Sequence, residues 1–220
     1  MKRLNSREGY DLYAAGYRKD YPHLDSFMDG AESAAWYRAF EALLSDHERV
    51  TALDAGCGDG RTLGRWVRGI AKRELADRVE FHGADVSAKM LEAARGRITG
   101  PRWHVLDLAS PDAVASWSNQ FGPADLISAF FVVVHFEKLK TFFTAVQALL
   151  AEGGRLVMNT IPQPSAPQLR AGGKPLVIAS WDHTAEEVIT AGETAGFTLE
   201  RQEDFHDKDE LVSTLLEWKK

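Results

Sequence analysis

The sequence predicts an α/β protein with a doubly wound, mostly parallel sheet, helices on both faces and an N-terminal helical cap. Three observations predict it. Short apolar runs alternate with segments of helical period through most of the 220 residues. A glycine-rich turn follows the first of those runs. Acidic residues stand just after the second and third runs, where ligands of such sheets bind. At about 150 residues per domain, the length suits one domain with a small appendage.

Each element has its own signal. Val50 to Ala55 is an apolar run ending at Gly56 and reads as a buried strand. Leu63, Trp66, Val67 and Ile70 follow at helical spacing. Arg78 to Ala84 reads as the second strand, after which Ser87 caps a helix carrying Met90, Leu91 and Ala94. Pro101 to Leu106 is the third strand and Asp112 to Phe121 a helix. Ala124 to Val133 is the most apolar strand. Leu139 to Leu150 is a helix expected to end at Gly153-Gly154, and Arg155 to Ile161 the fifth strand. Pro162 to Pro175 holds four prolines and two adjacent glycines and reads as a loop. Thr184-Ala185-Glu186-Glu187 is a capping box opening a further helix. Phe197 to Phe205 and Leu211 to Trp218 read as two closing strands. Ahead of the alternation, Trp36, Phe40, Leu43 and Leu44 form one helical face. The expected division is residues 1–46 as the cap and 47–220 as the main domain, with 162–183 as a substrate loop.

Composition excludes several classes. Lys and Arg number 26 against 32 Asp and Glu, a net charge of −6, which disfavours a nucleic-acid-wrapping protein. Cys57 is the only cysteine, so no disulfide scaffold is possible, and no metal-ligand spacing occurs. The start has charges but no apolar stretch behind them, and no run is long enough to span a bilayer. A cytoplasmic protein, monomeric or homodimeric, with no membrane partner is expected.

The turn Asp54-Ala55-Gly56-Cys57-Gly58-Asp59-Gly60 carries the strongest chemical signal. Glycine lets the backbone turn sharply and lie against a ligand, and the helix N-terminus that follows offers free N–H groups. Asp54 can accept hydrogen bonds from a ligand's ammonium. A dinucleotide turn needs Gly-x-Gly-x-x-Gly, but Arg61 and Leu63 stand where its last glycine would fall. A phosphate-binding P-loop needs a lysine where Gly60 is followed by Arg61-Thr62. Asp85, after the second strand, is placed to accept both hydroxyls of a ribose. Asp107, after the third, is placed to accept from an exocyclic amine.

With Asp54-x-Gly56-x-Gly58-x-Gly60, Asp85 and Asp107, the chain resembles the class I S-adenosylmethionine-dependent methyltransferases. Ala124 to Ser128 and Leu149 to Leu156 resemble the family's fourth and fifth strand regions, and Tyr10 to Tyr17 the cap segment of its small-molecule members. The resemblance implies a Rossmann-like, seven-stranded sheet whose last strand is antiparallel. It implies S-adenosylmethionine as cofactor and S-adenosylhomocysteine as product. Asp54 and Gly56 would meet the methionine moiety, Asp85 the ribose, and Asp107 with Leu108 the adenine. Tyr17, Ala55, Gly58, Gly60, Val86, Met90, Ala129 and Phe130 would complete the site. The segment Ala129 to His135 lacks the Asn/Asp-Pro-Pro-aromatic motif of amino-methylating nucleic-acid enzymes and the Pro-Cys nucleophile of cytosine-C5 enzymes. A small-molecule acceptor is therefore expected, with a tRNA or protein methyltransferase, or a non-catalytic partner subunit, as alternatives.

Methyl transfer from a sulfonium is an in-line displacement that needs alignment more than acid–base chemistry. Two candidate general bases stand out. His135 follows the fourth strand, and His183 follows the proline-rich loop. Each has a plainer reading, as a packing or capping histidine and as a solvated one. Tyr10, Tyr13, Tyr17 and Tyr21 cluster near the start, with the first three on one helical face. Their rings are candidates to cover the cofactor and attract its sulfonium, or simply to pack on the core. Cys57 reads as a small residue of the turn.

Overall fold

The computed structural model describes residues 3–20, 29–166 and 168–220. In chain order its elements are β1 (Arg3–Leu4), α1 (Ser6–Asp20), α2 (Asp29–Leu43), β2 (Val50–Ala55), α3 (Arg61–Lys72), β3 (Val79–Asp85), α4 (Ala88–Arg95), β4 (Arg102–Val105), α5 (Pro111–Phe121), β5 (Ala124–Ala129), α6 (Leu139–Leu149), β6 (Leu150–Thr160), β7 (Gln168–Ala171), β8 (Lys174–Ile178), α7 (Ala185–Thr194), β9 (Thr198–Asp207) and β10 (Glu210–Lys219). Tyr21 lies outside the described residues.

Seven strands form one sheet in the order β4-β3-β2-β5-β6-β10-β9. Strands β2 to β6 run parallel, while β10 lies antiparallel between β6 and β9. This is the doubly wound sheet with an antiparallel last strand that the sequence predicts. Adjacent residues of one strand point to opposite faces. Leu53, Ile127, Leu156 and Leu216 pack with Trp117 of α5, Phe142 and Phe143 of α6, and Val188 of α7. Their neighbours Ala52, Leu126, Val157 and Leu215 pack with α2 and α3. On that second face the Trp36 and Trp66 rings stack at 4.9 Å. The strand order reverses between β2 and β5, so a crevice opens beyond their C-terminal ends.

Four expectations need correction. The fourth strand stops at Ala129 rather than Val133: Phe131 takes φ +60°, and Val133 to His135 form a single 3₁₀ turn. Gly153 and Gly154 do not end a helix. Leu150 is already extended, and Gly153 (φ +76°) lies inside β6, where its N–H donates to the Lys220 carbonyl. The segment expected as a loop holds a β-hairpin, β7 with β8, turned at Gly172-Gly173 (φ +56° and +79°) as a two-residue hairpin loop demands.

The cap is not helical alone. β1 pairs in parallel with β8, making a three-stranded sheet β1-β8-β7 that joins the N-terminus to the 162–183 segment. Helix α1 packs on it through Tyr13, Leu176 and Ile178. A methyl group on Gly9 would come within 2.5 Å of Ile178, so glycine allows the close approach. Helix α2, by contrast, covers the main sheet. Among the described residues no helix is long and apolar enough to cross a membrane.

Candidate functional site

The turn after β2 is tied to the end of β3. The Gly56 and Cys57 N–H groups donate to the Ala84 carbonyl at 2.7 and 2.9 Å. Gly58 N–H donates to one Asp85 carboxylate oxygen at 2.9 Å, and Ser87 N–H to the other at 2.8 Å. Asp85 thus fixes the turn and caps the approach to α4. Gly56 has φ +80°, and a methyl group there would come within 2.3 Å of Val132. That glycine lets the tip of β5 lie against the turn. Gly60 (φ +77°) serves a different end: a methyl group would meet Ile98 at 2.7 Å and Trp103 at 3.0 Å, so it packs against the segment that joins α4 to β4.

Above this turn is a cavity of about 200 Å³. It brings together most of the residues the sequence singles out. Asp54, Ala55, Gly56 and Gly58 line it from β2 and its turn. Asp85, Val86 and Met90 line it from β3 and α4, and Asp107 and Leu108 from the end of β4. Phe130 and His135 line it beyond β5, and Tyr17 from α1. Gly60, Ala129 and His183 are not among its lining residues. His183 Nε2 instead donates to the Phe136 carbonyl at 2.7 Å, which ties the segment before α7 to the β5 tip. Of the tyrosines, Tyr10 and Tyr17 line the cavity, whereas Tyr13 is buried against the small sheet. The Arg61 guanidinium lies 5.3 Å from the Tyr17 ring centre, so that ring already faces a cation.

The cavity is strongly acidic. Asp54 is 4% exposed and accepts from the Ser128 hydroxyl at 2.9 Å. Burial pushes its carboxyl up to about 7, against the Ser128 hydrogen bond and with the nearby Asp85 charge adding to the rise. Burial pushes Asp85 up to about 6, with the Ser87 and Gly58 N–H groups opposing the rise. Burial and the Asp85 and Asp54 charges hold the Cys57 thiol well above its ordinary range, so it stays neutral. Asp59 is answered by Arg97 at 2.5 Å and Arg61 at 3.4 Å.

A carboxyl raised on folding has a definite effect on stability. The folded protein holds protons that the unfolded chain has released, so the stability of the ligand-free protein falls as pH rises from about 3.8 toward 7. Asp54→Asn removes the largest such contribution. Its stability advantage over the wild type is expected to grow across that window, by on the order of a few kcal/mol. Urea melts of both proteins at pH 4 and pH 7.5 measure it, and an equal difference at the two values would contradict the raised Asp54 carboxyl.

Several lining or supporting residues escape the sequence reading. Glu32, 2% exposed on α2, lines the cavity and stands 3.9 Å from Arg65. Its signal was an acid on the apolar stripe, one turn ahead of Trp36. Asn159 is fully buried in β6 and accepts from the Phe131 N–H at 2.6 Å, holding the left-handed residue at the β5 tip. Its signal was an amide inside an apolar strand. Arg7 of α1 reaches Asp107 at 3.2 Å, and Asp11 accepts from the Ser87 hydroxyl at 2.6 Å. These two contacts seat α1 across the cavity.

A doubly wound sheet with this strand order, a glycine turn after its first central strand and acids at the next two strand ends defines a class I methyltransferase arrangement. Residues 53–156 match the family model for the methyltransferase domain. Over these residues the chain is similar to that family, and its fold is that of the class I S-adenosylmethionine-dependent methyltransferases. Magnesium protoporphyrin IX methyltransferase from Synechocystis PCC 6803, crystallised with bound S-adenosylmethionine, has a TM-score of 0.62, 15% identity and coverage of 96% of this chain and 94% of its own. A TehB-like S-adenosylmethionine-dependent methyltransferase from Corynebacterium glutamicum gives 0.61 at 18% identity, covering 94% and 98%. The 4+2 cyclase SpnF gives 0.66 at 15%, covering 100% and 97%. At these identities the likeness is one of fold. No curated protein matches the chain.

Proposed function

We propose that this protein binds S-adenosylmethionine in the acidic cavity and transfers its methyl group to a neutral small-molecule acceptor. The observation that carries the reading is the opening of Asp54, Asp85 and Asp107 into one cavity above the glycine turn. S-adenosylmethionine bears a sulfonium and an ammonium against one carboxylate, so its net charge suits buried acids. A nicotinamide dinucleotide, with its diphosphate, suits them poorly.

The residues fit the cofactor in detail. Asp54 faces the cavity with its second oxygen beyond the Ser128 bond and can accept from the ammonium. Gly56 lines the cavity, and its lack of a side chain lets Val132 close against the turn on which the methionine chain would lie. Asp85 accepts from the Gly58 and Ser87 N–H groups on different oxygens, and its carboxylate has acceptor capacity beyond these for a ribose hydroxyl. Asp107, half-exposed, accepts from Ala109 N–H at 2.9 Å and from Arg7, and with Leu108 would meet the adenine edge. Bound there, the cofactor supplies an already activated methyl group. The protein's task is to align the acceptor and exclude water, which contributes up to roughly 7–11 kcal/mol. Phe130, Phe131 and Phe136 make the wall beyond β5 apolar and aromatic, which favours an uncharged aromatic acceptor.

Titration calorimetry with S-adenosylmethionine and S-adenosylhomocysteine tests the cofactor. Saturable binding of both is expected, with no response to NADH. If neither nucleoside gives heat or raises the melting temperature, the reading fails.

A further inference from the structure

A second opening lies beside the small sheet. It is a crevice of about 390 Å³, lined by Arg3 of β1, Gln163 and Pro164 after β6, and Ser180, Trp181 and Asp182 after β8. It shares no lining residue with the acidic cavity. One cation and one anion face it, Arg3 and Asp182, and both are exposed. Arg3 donates to the Ser180 carbonyl, and its guanidinium carbon lies 5.3 Å from the Trp181 ring centre. Asp182 accepts from the Gln163 N–H at 2.7 Å through one oxygen. These partners are all neutral, so among the described residues neither charge is answered by an opposite one. The second Asp182 oxygen and the outer guanidinium N–H groups retain hydrogen-bonding capacity. Ser180 is 6% exposed, and its hydroxyl has no hydrogen-bond partner among the described residues. Trp181, Pro164 and Val177 give the crevice an apolar wall beside the two charges. Opposite charges held apart across one opening suit a ligand that carries both.

We propose that this crevice is a second binding site, which takes an α-amino acid with an apolar side chain. Arg3 and the Ser180 hydroxyl receive its carboxylate, Asp182 receives its ammonium, and its side chain lies on Trp181 and Val177. An α-amino acid carries both charges on one carbon, so a single small molecule meets both residues. A plain carboxylate leaves Asp182 unanswered, and a plain amine leaves Arg3 so. A phosphate brings further negative charge beside Asp182. The occupant touches β1 on one side and the 162–183 segment on the other, where Arg3 and Leu4 already pair with Val177 and Ile178. Occupancy therefore fastens the small sheet on which α1 packs. The site is separate from the methyl-donor cavity, so the inference goes beyond the methyltransferase reading and does not rest on it.

Titration calorimetry with L-phenylalanine, phenylalanine amide and N-acetylphenylalanine tests the site. The amide lacks the carboxylate, and the acetyl derivative lacks the ammonium. Wild-type protein is expected to bind L-phenylalanine saturably, and each derivative at least about 10-fold more weakly, because one charge-assisted contact is lost. Arg3→Gln should abolish the preference over the amide and keep the preference over the acetyl derivative. Asp182→Asn should do the reverse. The two substitutions fall on exposed residues of different segments, and thermal melts report whether each variant folds, so either one decides alone. One equivalent of S-adenosylhomocysteine should leave L-phenylalanine binding unchanged. Equal affinities for the three compounds, binding that neither substitution weakens, displacement by S-adenosylhomocysteine, or no binding of L-phenylalanine at millimolar concentration overturns the proposal. Failure of S-adenosylhomocysteine itself to bind overturns the methyltransferase reading instead and leaves this site standing.

Discussion

Asp85→Ala is expected to weaken S-adenosylhomocysteine binding by about 10²- to 10³-fold, the largest loss of affinity from any single change in this cavity. Hydrogen bonds to a charged group contribute about 1.5–3 kcal/mol each, and a ribose offers two hydroxyls to this carboxylate. Two such bonds amount to at least about 3 kcal/mol, or more than 10²-fold. The same substitution removes the acceptor from the Gly58 and Ser87 N–H groups. The glycine turn then loses the side chain that shapes it. Asp85→Asn keeps an amide oxygen for one of these contacts and should fall between. Asp77→Ala, at the opposite end of β3 from Asp85, controls for the loss of one acid and should change affinity by less than 2-fold. Calorimetry on the four proteins decides the matter, and equal affinities for Asp85→Ala and Asp77→Ala would remove the ribose assignment.

The sheet was legible because its signals are local. Leu53, Ile127 and Leu156 sit in runs buried on both faces, and such strands read as continuous apolar segments. Ser87, Ser110 and Thr184 cap their helices through side-chain oxygens that the sequence displays directly. Asp54, Asp85 and Asp107 were legible for the same reason, since each stands at the end of an apolar run, whereas Glu32 on α2 was not. What escaped depends on contacts between distant segments. The pairing of Arg3 and Leu4 with Val177 and Ile178 joins strands some 170 residues apart, and no periodicity reports it. The β5 tip was misread because Val132, Val133 and Val134 continue the apolar run after the backbone has already turned. His135 was singled out by its place after a strand. Its contact with the Tyr10 hydroxyl became visible only once α1 brought the two together.

The turn at the β5 tip depends on one buried amide. Phe131 takes φ +60°, a left-handed conformation that costs a non-glycine residue about 1–2 kcal/mol. Asn159 holds it there by accepting from the Phe131 N–H at 2.6 Å, while its Nδ2 donates to the Ser213 hydroxyl of β10 at 3.1 Å. Asn159→Leu keeps the volume but leaves the Phe131 N–H without its acceptor, at about 1–3 kcal/mol, and takes from the Ser213 hydroxyl one of its two partners, the Thr160 carbonyl at 3.4 Å remaining, at about 1 kcal/mol. A total of about 2–4 kcal/mol corresponds to a melting temperature roughly 5–15 °C lower for a chain of this size. Ser213→Ala should cost about 1 kcal/mol alone and less in the Asn159→Leu background, because removing both groups leaves one orphan fewer. Asp54 and Asp85 make no contact with Asn159, so S-adenosylhomocysteine affinity should fall less than 10-fold. The expected loss is then concentrated on the aromatic wall, which Phe130 and Phe131 form. Thermal melts of the single and double variants, with calorimetry on the same samples, measure both effects. A melting temperature within about 2 °C of wild type for Asn159→Leu would show that the tip holds its left-handed turn without the amide.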